Sequence, residues 1–390
     1  MSTINITEAY SSPTVSRKTT SEIQVEISVA ILTYNAQDRI HQCLNSVINQ
    51  THSPDEIIVI DNCSSDQTAS IVTHDFPNVR LVVNQTNSGC SGGRNLQVRH
   101  ATYPFVMIVD DDAFLAPDCL EELEKAVQQY PDASVWSPRI CYEQDPGLVQ
   151  FDGVNLHFLG EAVLVNPERR MTSGIQPTLS NTASNQLIEE RSDDTRPLPV
   201  NPFRINIQGG VAFLIKKDAV SKIGGYDESY FFGRSDGEFT FRLTLAGHEI
   251  YTVPAALTYH RMKQRGFTHV DRQVKNRWSM ILQTYAWRTI LVVLPALVVY
   301  ELSVIAFLTM NRKLGRYFSA NWEVIKMLPQ TMRKRRMVQA LKRRGDHELL
   351  SGGFINMRAD LCRNPLIRFG HLAMCRFFRG YWTCAKWFLG

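Results

Sequence analysis

The chain has 390 residues, 44% of them hydrophobic and 21% charged. That balance excludes a disordered chain, a collagen-like repeat and a disulfide-stapled miniprotein. The net charge of +4 hides a split: residues 1–260 carry 18 Lys and Arg against 32 Asp and Glu, whereas residues 261–390 carry 24 against 6. An acidic body with a basic tail implies that the tail meets something anionic. Residues 1–25 are polar and rich in Ser and Thr. They read as a disordered arm without the apolar core of a signal peptide, which predicts a cytosolic start.

From residue 27 onward, short apolar runs alternate with helical periods. Residues 27–32, 56–60, 79–83 and 105–109 read as buried strands. Asn35 is placed to cap a first helix, with Asp38 at the capping-box position and Ile40, Cys43, Leu44, Val47 and Ile48 at helical spacing. A polar turn at 62–66 leads into a helix reaching about residue 73. Residues 87–100 are a Gly-rich turn opening a helix, and 117–130 form another with Leu120, Leu123 and Val127 on one face. Strands alternating with helices predict an α/β fold with a mostly parallel sheet, in which ligands bind beyond the carboxyl ends of the strands. Residues 160–205 read as a long surface excursion with acidic residues Glu189, Glu190, Asp193 and Asp194. The eight cysteines include no CxxC pair, which fits a reducing compartment.

Three features carry chemistry. Asp110, Asp111 and Asp112 end an apolar strand, and adjacent carboxylates call for a cation. Asp110 and Asp112 point to the same side of an extended chain, and oxygen donors suit Mg²⁺ or Mn²⁺, which in turn bind diphosphates. The glycine pair Gly209-Gly210 and the segment 224–232 precede Asp236 and Glu238, either of which could act as a general base or simply favour a helix N-terminus. His260 follows a predicted strand near these carboxylates.

Together the strings 28–35 (SVAILTYN), 61–68 (DNCSSDQT), 87–95 (NSGCSGGRN), Asp110–Asp112, the GGYDE segment and His260 resemble the family 2 inverting nucleotide-sugar glycosyltransferases, with a GT-A fold, and most nearly the rhamnosyltransferase-like bacterial members that build surface polysaccharides. The resemblance covers about residues 27–265. It implies that Thr33, Tyr34, Asn35 and Asp61 contact the nucleoside, and that Asn87, Gly89, Arg94, Asn95, Asp110 and Asp111 line the donor site. It further implies that Asp110, Asp112 and His260 hold Mn²⁺ or Mg²⁺, and that Asp236 is the base. The family usually has a Glu-Asp pair followed by a further Asp two positions on. Here Ser235-Asp236-Gly237-Glu238 stands instead, which leaves Glu238 as the other candidate base and a non-catalytic sugar-nucleotide-binding or scaffold relative as the alternative reading. Rhamnose, glucose and galactose are all possible donor sugars, and a lipid-linked saccharide is the expected acceptor.

The expected organisation is therefore a disordered arm at 1–25, a GT-A domain at 26–270 and a helical, membrane-associating region at 271–390. Gln273, Arg277 and Trp278 come near the QxxRW signature of processive synthases, with one residue too many between Gln and Arg. Residues 289–311 include one charge, Glu301, and are long enough to span a bilayer. Both flanks are basic, and Pro295 could break the helix. A re-entrant hairpin or in-plane helices on the cytoplasmic face of the bacterial inner membrane is the favoured arrangement, ahead of a single span or the buried helix of a homodimer. Arginines interleaved with aromatics over the last 25 residues suit an anionic membrane surface. No nucleic-acid module is present, so no nucleic-acid partner is expected.

Overall fold

The structure is a computed structural model that describes residues 23–171, 197–262, 268–355 and 365–390. Most of the N-terminal arm and the acidic run at 189–194 lie outside these residues. Four strands begin the sheet: β1 (Ile27–Thr33), β2 (Glu56–Asp61), β3 (Arg80–Val83) and β4 (Phe105–Asp110). They pair in parallel in the order β3-β2-β1-β4. Each is short, apolar and β-branched, the composition of a strand covered on both faces.

Alternation along the strands sorts the core. Val29 and Ile31 of β1, with Met107 and Val109 of β4, meet helices α1 (Ile40–Ile48) and α4 (Cys119–Gln129) through Leu44, Val47, Leu120 and Leu123. Ala30, Val106 and Ile108 face the other way, toward α3 (Gly89–His100), which is reached from α2 (Thr68–Asp75) through β3. Full burial of such side chains contributes roughly 1.5–3 kcal/mol each.

The expectation of a mostly parallel sheet holds for this half and fails beyond β4. There β12 (Ala212–Lys216) pairs antiparallel with β4, and β6 (Val135–Tyr142) antiparallel with β12. The short β5 (Ala113–Leu115) and β11 (Phe203–Ile205) both pair with β13 (Ile250–His260), which lies parallel to β6. Strands β7 (Asp145–Phe151) and β10 (Arg169–Arg170) extend the edge beside β6. Strands β8 (Val154–His157) and β9 (Ala162–Leu164) form a small second sheet with β14 (Leu350–Ser351). The described ends of the predicted surface excursion are thus built into sheets.

Helices α5 (Lys217–Ile223) and α6 (Ser235–Leu245) cover the second face. The C-terminal region is helical as expected: α7 (Val270–Thr284), α8 (Trp287–Met310), α9 (Leu314–Leu341), the short α10 (Asp346–Leu349) and α11 (Pro365–Ala385). Among the described residues, α8 is the one helix long and apolar enough to cross a membrane. It runs through Pro295 unbroken. Glu301 is not stranded: Arg277 donates to it from α7 and Tyr317 from α9. Thr289, Val293, Ala296 and Leu297 face the protein, while Leu291, Leu294, Val298 and Leu302 are exposed.

Beneath the sheet edge, Arg139 donates to both oxygens of the fully buried Asp152, at 2.6 and 2.9 Å. Removing one partner of such a pair strands a buried charge. Arg139→Met is therefore expected to lower unfolding stability by about 3–5 kcal/mol, read by denaturant titration. A loss under 1 kcal/mol would show that water reaches Asp152.

Candidate active site

The loops beyond the carboxyl ends of β1, β2 and β4 carry the predicted site, and hydrogen bonds knit them together. Asn35 does not cap α1. That helix begins at Ile40 with Arg39 at its N-cap and no side-chain cap. Asn35 instead sits at φ +49 and its side-chain oxygen accepts from the Ser65 amide at 2.8 Å. The Asp61 carboxylate is 1% exposed and accepts from the Ser64 amide and hydroxyl. Ser64 in turn accepts from the Asn35 amide at 2.9 Å. Tyr34 is half exposed at the rim, next to Thr33.

The three consecutive aspartates have three destinations. Asp111 turns inward: Arg39 donates to one oxygen at 2.8 Å, and Thr33 Oγ1 and the Tyr34 amide donate to the other at 3.0 and 3.1 Å. A donor-lining role for Asp111 is thereby replaced by one of anchoring the Thr33–Tyr34 turn. Asp110 Oδ1 meets Arg94 Nη2 at 2.7 Å. Burial pushes the Asp110 carboxyl above its ordinary range; Arg94 opposes the shift, and Asp112, Asp236 and Asp111 reinforce it. Asp112 faces His260, with Oδ1 3.6 Å from Nε2.

Arg94 is 2% exposed and reaches a second carboxylate: its Nε lies 3.1 Å from Asp236 Oδ1. Tyr226 donates its hydroxyl to the same oxygen at 3.2 Å. The other oxygen of Asp236 lies beside Gly210, where a Cβ would come within 2.9 Å of Oδ2. Gly210 at φ +92 and Val211 at φ +77 form a left-handed pair here. For a β-branched residue that backbone costs of order 1–3 kcal/mol, a strain typical of functional sites. Val211 also fixes β4, since its carbonyl accepts from the Asp110 amide at 2.8 Å.

Glu238 is not beside Asp236. It is 1% exposed and forms a two-point pair with Arg242, at 2.6 and 3.1 Å. Arg242 also donates to the Ile223 and Gly225 carbonyls. Burial raises the Glu238 carboxyl and Arg242 opposes it. The pair anchors α6 to the glycine turn, which removes Glu238 from the candidate bases.

Three other predicted donor contacts hold protein instead. Gly89, at φ +69, sits under Phe231, whose carbonyl accepts from the Cys90 amide at 2.7 Å. Asn95 clamps Tyr226 through its amide and carbonyl, and donates to Glu228 at 3.0 Å. The Asn87 oxygen accepts from Gly89 and Asn62. Sequence reasoning missed Asn62 itself. Its side chain joins Asn84, Asn87, Ser88 and Gly89, locking the second and third loops together. A single Asn inside a polar turn carries no signal of that role.

The chemistry of the donor set fits a divalent cation that shares its ligands with a substrate. His260 Nδ1 lies 2.8 Å from Gln150 Oε1, so it carries the proton and Nε2 keeps its lone pair toward Asp112. Among the described residues no group of three or more His, Cys, Asp or Glu forms a complete metal cluster. A cation held by Asp112 and His260 would therefore need oxygens from outside the protein, which diphosphate supplies.

Residues 28–191 match the sequence model of Glycosyl transferase family 2. The chain is 28% identical over 116 residues to an uncharacterized glycosyltransferase of Haemophilus influenzae, covering 30% of this chain and 39% of that protein. It is 27% identical over 256 residues to the hyaluronan synthase of Pasteurella multocida, covering 64% of this chain and 26% of that protein. The chain thus spans well under half the length of these relatives. Among solved structures, GalNAc-T7 with UDP, GalNAc and Mn²⁺ superposes with a TM-score of 0.51 at 17% identity, over 67% of this chain and 48% of that one. That likeness establishes the shared fold.

The Glu238–Arg242 pair is separable from the Arg94 carboxylate bridge. Glu238→Gln is expected to lower stability by about 1–3 kcal/mol through the loss of its charged pair, while leaving Mn²⁺-dependent UDP binding within about twofold. Denaturation and calorimetry on one preparation check both, and a larger loss of UDP binding at full stability would return Glu238 to the site.

Proposed function

We propose, from the match of residues 28–191 to the Glycosyl transferase family 2 model, that this chain transfers a sugar from a nucleoside diphosphate sugar to a saccharide acceptor, with inversion at the anomeric carbon. The observation that carries the reading is the buried Arg94 bridge, which fixes Asp236 relative to the carboxyl end of β4. The catalytic unit is residues 26–270, and the membrane-associated unit is 271–390.

Thr33, Tyr34 and Asn35 form one wall for the nucleoside, on the turn that Asp61 and Asp111 hold. Asp112 and His260 would hold Mn²⁺ or Mg²⁺, which when bound supplies positive charge to the departing diphosphate. Asp236 accepts the proton of the acceptor hydroxyl. The hydroxyl oxygen attacks the anomeric carbon from the face opposite the diphosphate. The new glycosidic C–O bond forms as the bond to diphosphate breaks, and the electron pair leaves with the diphosphate. Arg94 and Tyr226 hold one oxygen of Asp236, so the oxygen beside Gly210 is the one aimed at the proton.

The tail would place this site at a membrane. Leu291, Leu294, Val298 and Leu302 on α8, Phe318, Trp322 and Ile325 on α9, and Phe369 and Phe377 on α11 are all exposed. Arginines and lysines interleave with them, the pattern of helices lying in the interface of an anionic bilayer. The pairing of Glu301 with Arg277 and Tyr317 favours α8 lying in plane over crossing, because a span would strip α8 from these partners. The acceptor is then a lipid-linked saccharide met at the cytoplasmic face.

Two measurements test the proposal. Asp236→Asn is expected to lower transfer from a nucleotide-sugar panel by roughly 10²–10⁴-fold while Mn²⁺-dependent UDP or dTDP binding persists; near-normal transfer would refute the base assignment. A cysteine introduced by Arg333→Cys is expected to resist an impermeant thiol reagent added outside intact cells and to react after lysis. Labelling from outside would instead indicate a crossing α8.

A further inference from the structure

A second cleft opens where α7 begins and α9 begins. It has a volume of about 340 Å³ and is lined by Thr268, His269, Asp271, Arg272, Arg316 and Ser319. That lies in the size range of small-ligand sites. Its lining brings together two guanidiniums, an imidazole and one carboxylate, a set rich in hydrogen-bond donors for an anion. Arg316 also donates to the Thr268 carbonyl at 3.0 Å, which ties α9 to the approach of α7.

The cleft adjoins the candidate site through a shared wall. The Arg272 guanidinium lies over the Phe231 ring, 4.8 Å from its centroid, and the His269 ring is 4.4 Å from that of Phe232. Asn276, one turn further along α7, donates to the Phe232 and Gly233 carbonyls at 3.0 and 2.7 Å. This segment leads directly to Arg234 and Asp236 at the start of α6. On its other side the cleft meets apolar surface. Arg316, Ser319 and the exposed Trp322 follow at i, i+3 and i+6 along one face of α9.

We propose that this cleft binds the phosphate or diphosphate group of the acceptor, with Arg272 and Arg316 as its principal contacts. This rests on the glycosyltransferase reading for the word acceptor, but not for the binding itself. An anion held there sits beyond the Phe231–Gly233 wall from Asp236. An attached chain can run along Trp322 on the exposed face of α9, while the saccharide end passes the wall toward Asp236. Arginine forks match phosphate oxygens in geometry, which lysine does less well.

The test is calorimetric titration of the full chain in detergent, with EDTA present so that a cation-dependent donor site cannot contribute. The probes are farnesyl diphosphate, inorganic pyrophosphate and farnesol. Farnesyl diphosphate is expected to bind the wild type, and Arg272→Gln/Arg316→Gln to weaken it at least about tenfold. Arg272→Lys/Arg316→Lys should recover part of that loss, which separates charge from misfolding. Asp112→Asn should bind the probe as the wild type does. Tighter binding of farnesyl diphosphate than of pyrophosphate assigns the cleft to a lipid phosphate, and equal binding to a soluble phosphate ester. Equal affinity for farnesol, absence of farnesyl diphosphate binding, or a double Gln variant that binds like the wild type would overturn the proposal. A separate titration with UDP or dTDP and Mn²⁺ keeps the two readings apart. Failure there removes the glycosyltransferase reading and leaves the phosphate cleft to stand or fall on its own data.

Discussion

A guanidinium almost cut off from water must be matched by charge on the protein, and Arg94 is matched twice. Its partners are Asp110, at the end of the fourth strand, and Asp236, in the first turn of a helix that arrives far later in the chain. Desolvating an arginine costs several kcal/mol unless its hydrogen bonds are filled. The fold fills them from both sides, with Gln97 accepting from a third nitrogen at 3.1 Å. The bridge therefore does more than join two carboxylates. It makes the position of Asp236 a consequence of where the parallel half of the sheet ends, so that the antiparallel half must dock in one register for the charge to be neutralised.

The same economy of charge explains why neighbouring acids have unlike fates. Asp110, Asp111 and Asp112 would repel one another if they shared a space. Arg94 and Arg39 separate two of them, each drawing one carboxylate in its own direction, and Asp112 turns to the side of His260. Asp236 and Glu238 stand two residues apart on a helix, which turns them roughly 200° from each other. One faces Arg94 and retains an oxygen beside Gly210; the other is consumed by Arg242 in the interior. Between these two, Glu238 is closed off from any ligand by burial and by Arg242, whereas Asp236 keeps one oxygen beside Gly210.

The first four strands and the acids that end the second and fourth of them were legible because apolar runs have a period and sheets bind ligands at one end. What was not legible is what depends on a distant partner. Strand β12 runs antiparallel beside β4, about a hundred residues earlier, a pairing that no local pattern announces. Asn35 has the composition of a cap, but the Ser64–Ser65 turn offers its side chain and amide a better use. Gly89 and Asn95 lie in a Gly-rich turn of the kind that cradles phosphate, yet they grip the Tyr226 and Phe231 segment. Pro295 and Glu301 read as obstacles to a long helix. In the fold the helix passes the proline and the glutamate finds an arginine that sequence alone does not bring near.

The segment from Tyr226 to Arg234 is where these arguments meet. From one side α3 holds it through Asn95, Cys90 and Ser91, which donates to the Tyr230 carbonyl at 2.9 Å. From the other side the basic helices hold it. Lys334 of α9 donates to Asp227 and to Ser229, Lys275 of α7 donates to the Ser229 carbonyl at 3.1 Å, and Asn276 to the two carbonyls before Arg234. The Asp227 carboxyl is held below its ordinary range: Lys334 and the Ser229 hydrogen bonds outweigh burial, the largest single influence, which acts upward. The wall that ends at Asp236 is thus built jointly by α3 and by the helices that carry the positive charge. A force that shifts α7 and α9 acts on that wall directly through three hydrogen-bonded side chains, Lys334, Lys275 and Asn276. The basic tail is therefore part of what holds the Tyr226–Arg234 segment in place, and the two oppositely charged stretches of the sequence meet at that segment.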